Sequence, residues 1–182
     1  MAAIERMRNP SYRVIGIVGT TESTSFDGTI LSLQVEDSYE YLSRKVRRAF
    51  QWINEHFPET VGVFKTDDDI FFRNQGDLAT AITTHAHVPF WGTVVAHCSR
   101  SYVDRNRIEQ KCDDTSLRPI HPAAHYCYGH GYWVSKLGIP AICAANEYDD
   151  PNPLEDVTSG FVLNRAGFFP KYVSIPYDER AR

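Results

Sequence analysis

The sequence predicts an α/β layered fold, and three observations carry the prediction. Short apolar runs rich in β-branched residues stand at 13–19, 29–35, 61–66 and 90–98. Segments of helical period or composition stand between and after them, the alternation expected of a layered α/β domain. The 182 residues are enough for one domain, 1–182, with a sizeable core, and no internal repeat or low-complexity tract divides them.

In chain order, "RVIGIVG" (13–19) reads as a buried strand of parallel type ending in Gly, and "TILSLQV" (29–35) as a second strand. About ten residues separate them, fewer than the dozen or more that a helical crossover needs, so a loop is expected in place of a first helix. From Asp37 the period becomes helical: Tyr39, Leu42, Val46, Phe50 and Ile53 recur at three- and four-residue spacing, with Arg44, Lys45, Arg47 and Arg48 among them. Asp37 reads as the N-cap, Glu40 as the partner in a capping box and Pro58 as the stop, while Arg47 and Arg48 read as a solvated face. The strand "VGVFKT" (61–66) follows, then three aspartates, a helix by composition at 76–86 and a strand at 90–98. Beyond a polar loop at 99–117, "HYCYGHGYWVSKLGIPAICAANEY" (125–148) is an aromatic, Gly-punctuated segment leading into a helix. A last helix, 153–167, opens on Pro and acidic residues and stops at Gly167.

An apolar fraction of 42% and a charged fraction of 23% are those of a soluble globular protein, and a net charge of −4 removes the electrostatic reason to expect nucleic acid as a partner. "MAAIERMRNP" has no apolar h-region, and the longest apolar run, "IPAICAA" (139–145), is too short to span a bilayer, so no membrane segment is expected. Cys98, Cys112, Cys127 and Cys143 form no close C-x-x-C pair and leave their pairing open. His121 and His125, with Cys127 nearby, make a poor zinc set because Pro122 interrupts the helical spacing.

The functional question lies in "KTDDDIFF" (65–72). Asp67, Asp68 and Asp69 repel one another, yet they stand just past the end of a strand, where open α/β sheets bind ligands. A solvated acidic turn would account for them. So would a divalent cation shared between carboxylates, for which hard oxygen ligands suit Mg²⁺ or Mn²⁺. An aspartyl-phosphate phosphohydrolase with Asp67 as nucleophile is a third reading, although Lys65 and Thr66 interrupt the apolar strand before it. A calcium EF-hand is excluded, since the alternating acidic spacing and its Gly and Glu are missing.

Four blocks in order separate these readings. "DSYEYLSRK" (37–45), "FKTDDDIFF" (64–72), "HYCYGHGYWVS" (125–135) and "LEDVTSGFVL" (154–163) resemble the successive motifs of the inverting β-1,3-glycosyltransferases, the family of β-1,3-galactosyltransferases, β-1,3-N-acetylglucosaminyltransferases and Fringe. The resemblance covers roughly residues 13–165. It implies a GT-A fold, a Rossmann-like mixed sheet flanked by helices, together with a nucleotide-sugar donor, commonly a UDP-sugar, a saccharide or glycan acceptor, and Mn²⁺ or Mg²⁺.

Residue by residue, the resemblance makes Asp69 the direct metal ligand, with Asp67 and Asp68 on the donor or on metal-bound water, and Asp156 the catalytic base. The Gly129-His130-Gly131 turn would let the backbone approach the sugar, and Tyr128, Tyr132 and Trp133 would form either an apolar wall for it or part of the core. Gly19 and Thr20 are expected nucleotide contacts by sheet position, and Lys45 matches a family lysine that meets the donor's phosphates or packs. His130 is the last histidine, so water, or His130 itself, would complete the metal shell. A non-catalytic nucleotide-sugar- or carbohydrate-binding module is the rival from another class. Eukaryotic members of the family are type II Golgi proteins with a membrane anchor. The short chain without an anchor leads us to expect a cytoplasmic enzyme, with a trimmed Golgi-lumenal domain as the alternative.

Overall fold

The computed structural model describes residues 9–95, 112, 125–149 and 153–179. Three strands open the chain, β1 (Gly16–Thr20), β2 (Ser25–Phe26) and β3 (Ile30–Gln34), and they form a sheet in the order β1-β3-β2. β1 and β3 run parallel, from Gly16 opposite Ile30 to Thr20 opposite Gln34. The link between them holds no helix, as its length predicts; β2 folds back antiparallel on β3 instead. Asp27 makes the return possible, its carboxylate accepting from the N–H groups of Thr29 at 2.8 Å and Ile30 at 2.7 Å, and Gly28 supplies the left-handed φ of 97°.

The first helix, α1 (Leu42–His56), starts later than the capping box predicts. Asp37 does not cap it: the Lys45 ammonium donates to the Asp37 carboxylate at 2.6 Å, and the cap position falls to Tyr41, which makes no side-chain capping bond. The apolar stripe is as expected, and it serves two cores. Ala49 packs with Leu31, Leu33 and Val35 under the first sheet, while Val46 and Phe50 pack with Phe90, Tyr132, Val134, Ile139 and Ile142. Arg48 is exposed, but Arg47 corrects the expectation of a solvated face. Its side chain is 11% exposed because it donates to the Cys143 carbonyl and pairs with Asp149.

The second sheet has the order β4-β7-β6-β8, from β4 (Gly62–Thr66), β6 (Phe90–Val95), β7 (Tyr126–Ser135) and β8 (Lys171–Tyr172). β7 is antiparallel to both β4 and β6, and β8 is parallel to β6, so the sheet is mixed. Its two glycines, Gly129 and Gly131, do not break β7: the aromatic segment read as Gly-punctuated forms a ten-residue strand, followed by the short helix α3 (Ile139–Ala144). Helix α2 (Gln75–His85) begins at Asn74, whose side chain accepts from the Gly76 N–H, and seats Leu78 against Trp91, Trp133 and Ile175. Helix α4 (Glu155–Arg165) is buried along its first six residues and ends before Gly167, whose φ is 85°.

Two short strands, β5 (Ile70–Phe72) and β9 (Tyr177–Glu179), pair antiparallel and were not foreseen. Tyr132 and Trp133, offered above as a wall for sugar or as core, are core: they are 0% and 2% exposed, and Trp133 stacks on Trp91 with ring centroids 6.0 Å apart. Cys127 and Cys143 carry free thiols. Cys98, His121, Pro122 and the polar loop at 99–117, apart from Cys112, lie outside the described residues. Among the described residues no helix is long and apolar enough to cross a membrane.

Candidate active site

The three aspartates leave β4 at its carboxyl end. The Ile70 N–H donates back to the Asp67 carbonyl at 3.4 Å, so Asp67 to Ile70 form a turn with Asp68 exposed at its tip and Asp69 half-buried behind it. The turn is anchored across the sheet. Thr66, opposite Gly131 in register, donates its hydroxyl to the His130 carbonyl at 2.7 Å.

Opposite this turn β7 is bulged. The β6 register passes from Gly92 opposite Tyr132 to Val94 opposite Cys127, so Tyr128, Gly129, His130 and Gly131 all stand where β6 supplies only Thr93. Such a bulge bends the strand and re-aims its side chains. The His130 ring lies between Tyr128, at 5.4 Å, and Tyr177 of β9, at 4.1 Å, and the Tyr177 hydroxyl meets its Nδ1 at 3.2 Å. Gly129 turns its Cα toward helix α4: a Cβ there would stand 3.2 Å from Glu155 Oε1 and 3.6 Å from both Asp156 Oδ2 and Lys65 Nζ.

Around Gly129 the motifs meet. Lys65 Nζ donates to Asp67 Oδ1 at 2.6 Å, to the Gly129 carbonyl at 2.9 Å and to Glu155 Oε1 at 2.5 Å. Its side chain is 12% exposed and that of Glu155 is 3% exposed, whereas Asp67 keeps 41% of its side chain open to solvent. The other Glu155 oxygen ends a one-way relay: Tyr148 donates its hydroxyl to Ser159 Oγ at 2.9 Å, Ser159 meets the Tyr132 oxygen at 3.0 Å, and Tyr132 donates to Glu155 Oε2 at 2.6 Å.

Charge in this cluster is unbalanced: Asp67 and Glu155 share the one ammonium, and Asp156 stands beside Glu155. Burial pushes Glu155 up to about 7, the Lys65 charge opposes that, and Asp156 and Asp67 reinforce it. Burial works against the Lys65 charge too, but Glu155 and Asp67 outweigh it and hold the ammonium above the ordinary lysine range. Asp156 sits in the first turn of α4, where the helix N-terminus favours a carboxylate. Its Oδ2 accepts from the Gly129 N–H at 3.1 Å and its Oδ1 from the Val157 N–H at 2.8 Å.

The residues expected to act together therefore fall into two groups. Asp67, Gly129 and Asp156 meet around Lys65, with Asp68, Asp69, His130 and Gly131 on the adjoining turn and bulge. Gly19 and Lys45 meet instead at Asp37, which takes the Lys45 ammonium and the Gly19 N–H and whose carboxyl is held below its ordinary range by that lysine, with burial opposing. Thr20 pairs with Gln34 at the end of β1, beside Gly19. Gly19 has no room for a side chain, as a Cβ would stand 2.6 Å from the Val35 carbonyl oxygen and 2.8 Å from the Asp37 Cα. Lys65 and Glu155 were not singled out as site residues, although each lies inside a quoted motif. A charged residue inside an apolar strand was the available signal.

Among the described residues no three His, Cys, Asp or Glu side chains converge in a way that could hold a metal. The aspartate turn offers hard carboxylate oxygens without an enclosing cage. That donor set suits Mg²⁺ or Mn²⁺, which keep water and phosphate oxygens as ligands, and does not suit a structural zinc.

Comparison with known proteins accords with these motifs. The family model described as Galactosyltransferase matches residues 17–172. Human UDP-GalNAc:beta-1,3-N-acetylgalactosaminyltransferase 1 is 29% identical over 141 residues, covering 75% of this chain and 41% of that protein. Its rat counterpart is 30% identical over the same length, and mouse Beta-1,3-galactosyltransferase 4 is 24% identical over 172 residues, 79% of this chain and 46% of that protein. The chain thus spans less than half the length of these relatives. With the matched region running from β1 through the aspartate turn and the Glu155-Asp156 helix to β8, the chain belongs to the galactosyltransferase family.

Proposed function

We propose that this chain transfers a sugar from a nucleoside-diphosphate sugar, specifically a UDP-sugar, to a saccharide hydroxyl with inversion, on a GT-A architecture. The observation that supports this reading is that Lys65 ties Asp67 of the aspartate turn to the Gly129 carbonyl, while the N–H of the same Gly129 binds Asp156 at the helix start. The donor in the name of the human relative, UDP-GalNAc, supports the choice of UDP.

In this reading Asp156 takes the proton of the acceptor hydroxyl as the anomeric carbon is attacked, and one base suffices for inversion. The Gly129 N–H orients its carboxylate. Asp69, with Asp67, holds Mn²⁺ or Mg²⁺, which when bound supplies positive charge to the departing diphosphate. Asp68, His130 and Gly131 stand on the turn and bulge where donor sugar or ribose would lie, and Gly19, Thr20 and Lys45 on the strand and helix offered to the nucleotide.

The test is incubation with a panel of UDP-sugars and Mn²⁺, read as UDP release and as thermal shift. Nucleotide-sugar binding with UDP release is the expected result. Turnover of a generic phosphomonoester with no nucleotide-sugar binding would instead establish phosphohydrolase chemistry at Asp67 and overturn the transferase reading.

A further inference from the structure

Lys65 and Glu155 are neither the proposed base nor the proposed metal ligands, yet both are largely withdrawn from solvent, with side chains 12% and 3% exposed. Burying an ammonium and a carboxylate carries a desolvation cost that their attraction has to offset, and an apolar pair of similar volume is often at least as stable. Stability alone is therefore a weak reason for them to be there.

Their geometry gives a stronger one. An ammonium has three N–H donors, and Lys65 spends all three on different pieces of the site: the Asp67 carboxylate, the Gly129 carbonyl and Glu155. The same Gly129 peptide gives its N–H to Asp156. Both oxygens of Glu155 are held, one by Lys65 and one by Tyr132 at the end of the hydroxyl relay, which fixes the residue next to Asp156. We propose that Lys65 and Glu155 are positioning residues, a strut that sets the Asp156 carboxylate at a fixed separation from the aspartate turn; the proposal rests on the transferase reading above. The Glu155 end of the strut acts on the transition-state geometry rather than on donor affinity, because Glu155 stands on α4 beside the base and its two oxygens meet Lys65 and Tyr132, not the aspartates of the turn. A displacement of about 1 Å at such a site is enough to cost on the order of a hundredfold in rate.

The experiment compares wild type, Glu155→Gln, Lys65→Met, the double variant and Tyr132→Phe by thermal unfolding, calorimetric UDP binding with Mn²⁺, and kcat and KM for the UDP-sugar. The expected result is that Glu155→Gln binds UDP within about threefold of wild type while kcat falls about tenfold or more, and that the double variant is no slower than the worse single one. Tyr132→Phe, which spares both charges, lowers kcat severalfold at unchanged KM and carries the test if either charge variant fails to fold. An unchanged kcat in folded Glu155→Gln or Tyr132→Phe, or losses that multiply in the double variant, would overturn the strut while leaving the transferase reading intact. Wild-type protein that binds no nucleotide-sugar would overturn both.

Discussion

The Gly129 N–H donates to Asp156 Oδ2 at 3.1 Å, so the orientation of the proposed base depends on a backbone peptide in the bulge of β7. A methyl group at that residue would stand 3.2 Å from Glu155 Oε1, tighter than ordinary contact, and the carboxylate would have to give way. Gly129→Ala is expected to lower transfer about tenfold or more with a loss of stability of only about 1 kcal/mol. Kinetics alongside chemical denaturation would check it; equal activity in the alanine variant would show that the peptide does not aim the base.

Asp156→Asn keeps the shape of the side chain and removes its ability to accept a proton. UDP binding should stay nearly unchanged while transfer falls about a hundredfold or more, the usual scale for a general base. Transfer near the wild-type rate would assign the base elsewhere.

At the aspartate turn, Asp69→Ala should abolish Mn²⁺-dependent UDP binding, and chelation of wild type should have the same effect. Calorimetric titrations of the two, with and without Mn²⁺, read this directly. Binding that persists in the alanine variant would remove Asp69 as a ligand.

Glu155 makes stability depend on pH. Its ordinary value is 4.5, and burial with the facing Asp156 and Asp67 carboxylates pushes it up to about 7 in the fold against the pull of Lys65. The folded protein therefore keeps a proton that the unfolded chain releases, so this contribution is full below about pH 4.5 and is lost as pH rises through about 7. A shift of this size is worth about 3 kcal/mol at most. Between about pH 5 and about pH 8 the unfolding midpoint of wild type should fall more than that of Glu155→Gln, which stays neutral throughout. Parallel pH profiles would contradict the raised value.

Packing of α4 on β7 has its own test at Gly160. A Cβ there would stand 2.4 Å from the Tyr126 Cβ and 2.7 Å from the His125 carbonyl oxygen, contacts that only a shift of the helix relieves. Gly160→Ala should lower the unfolding midpoint by at least about 5 °C. A midpoint equal to wild type would mean that the helix is free to move outward.

Much of this fold was legible because β-branched apolar runs mark β1, β3, β4 and β6, and because the short interval after β1 left no room for a helix. The start of α1 was misread since Asp37 has two uses in sequence, as a cap or as an ion-pair partner, and only the fold brings Lys45 to it. Arg47 was misread for a similar reason: the carbonyl of Cys143 and the carboxylate of Asp149 that draw it inward lie far along the chain. In the candidate site, Asp67, Gly129 and Asp156 were legible from their motifs. The Lys65 bonds that join them depend on the β4–β7 register, which no local pattern displays.

The pairing of β5 with β9 sets Ile70 opposite Glu179 and Phe72 opposite Tyr177, directly after the aspartates. Contacts so distant in sequence form late, because a long loop must close before they are gained. On the ribosome, where chains fold as they emerge, the aspartate turn can acquire its neighbouring strand only after Tyr177 to Glu179 have left the tunnel. Ligand capacity should therefore arrive only once that segment has emerged, well after the strands that build the first sheet have paired.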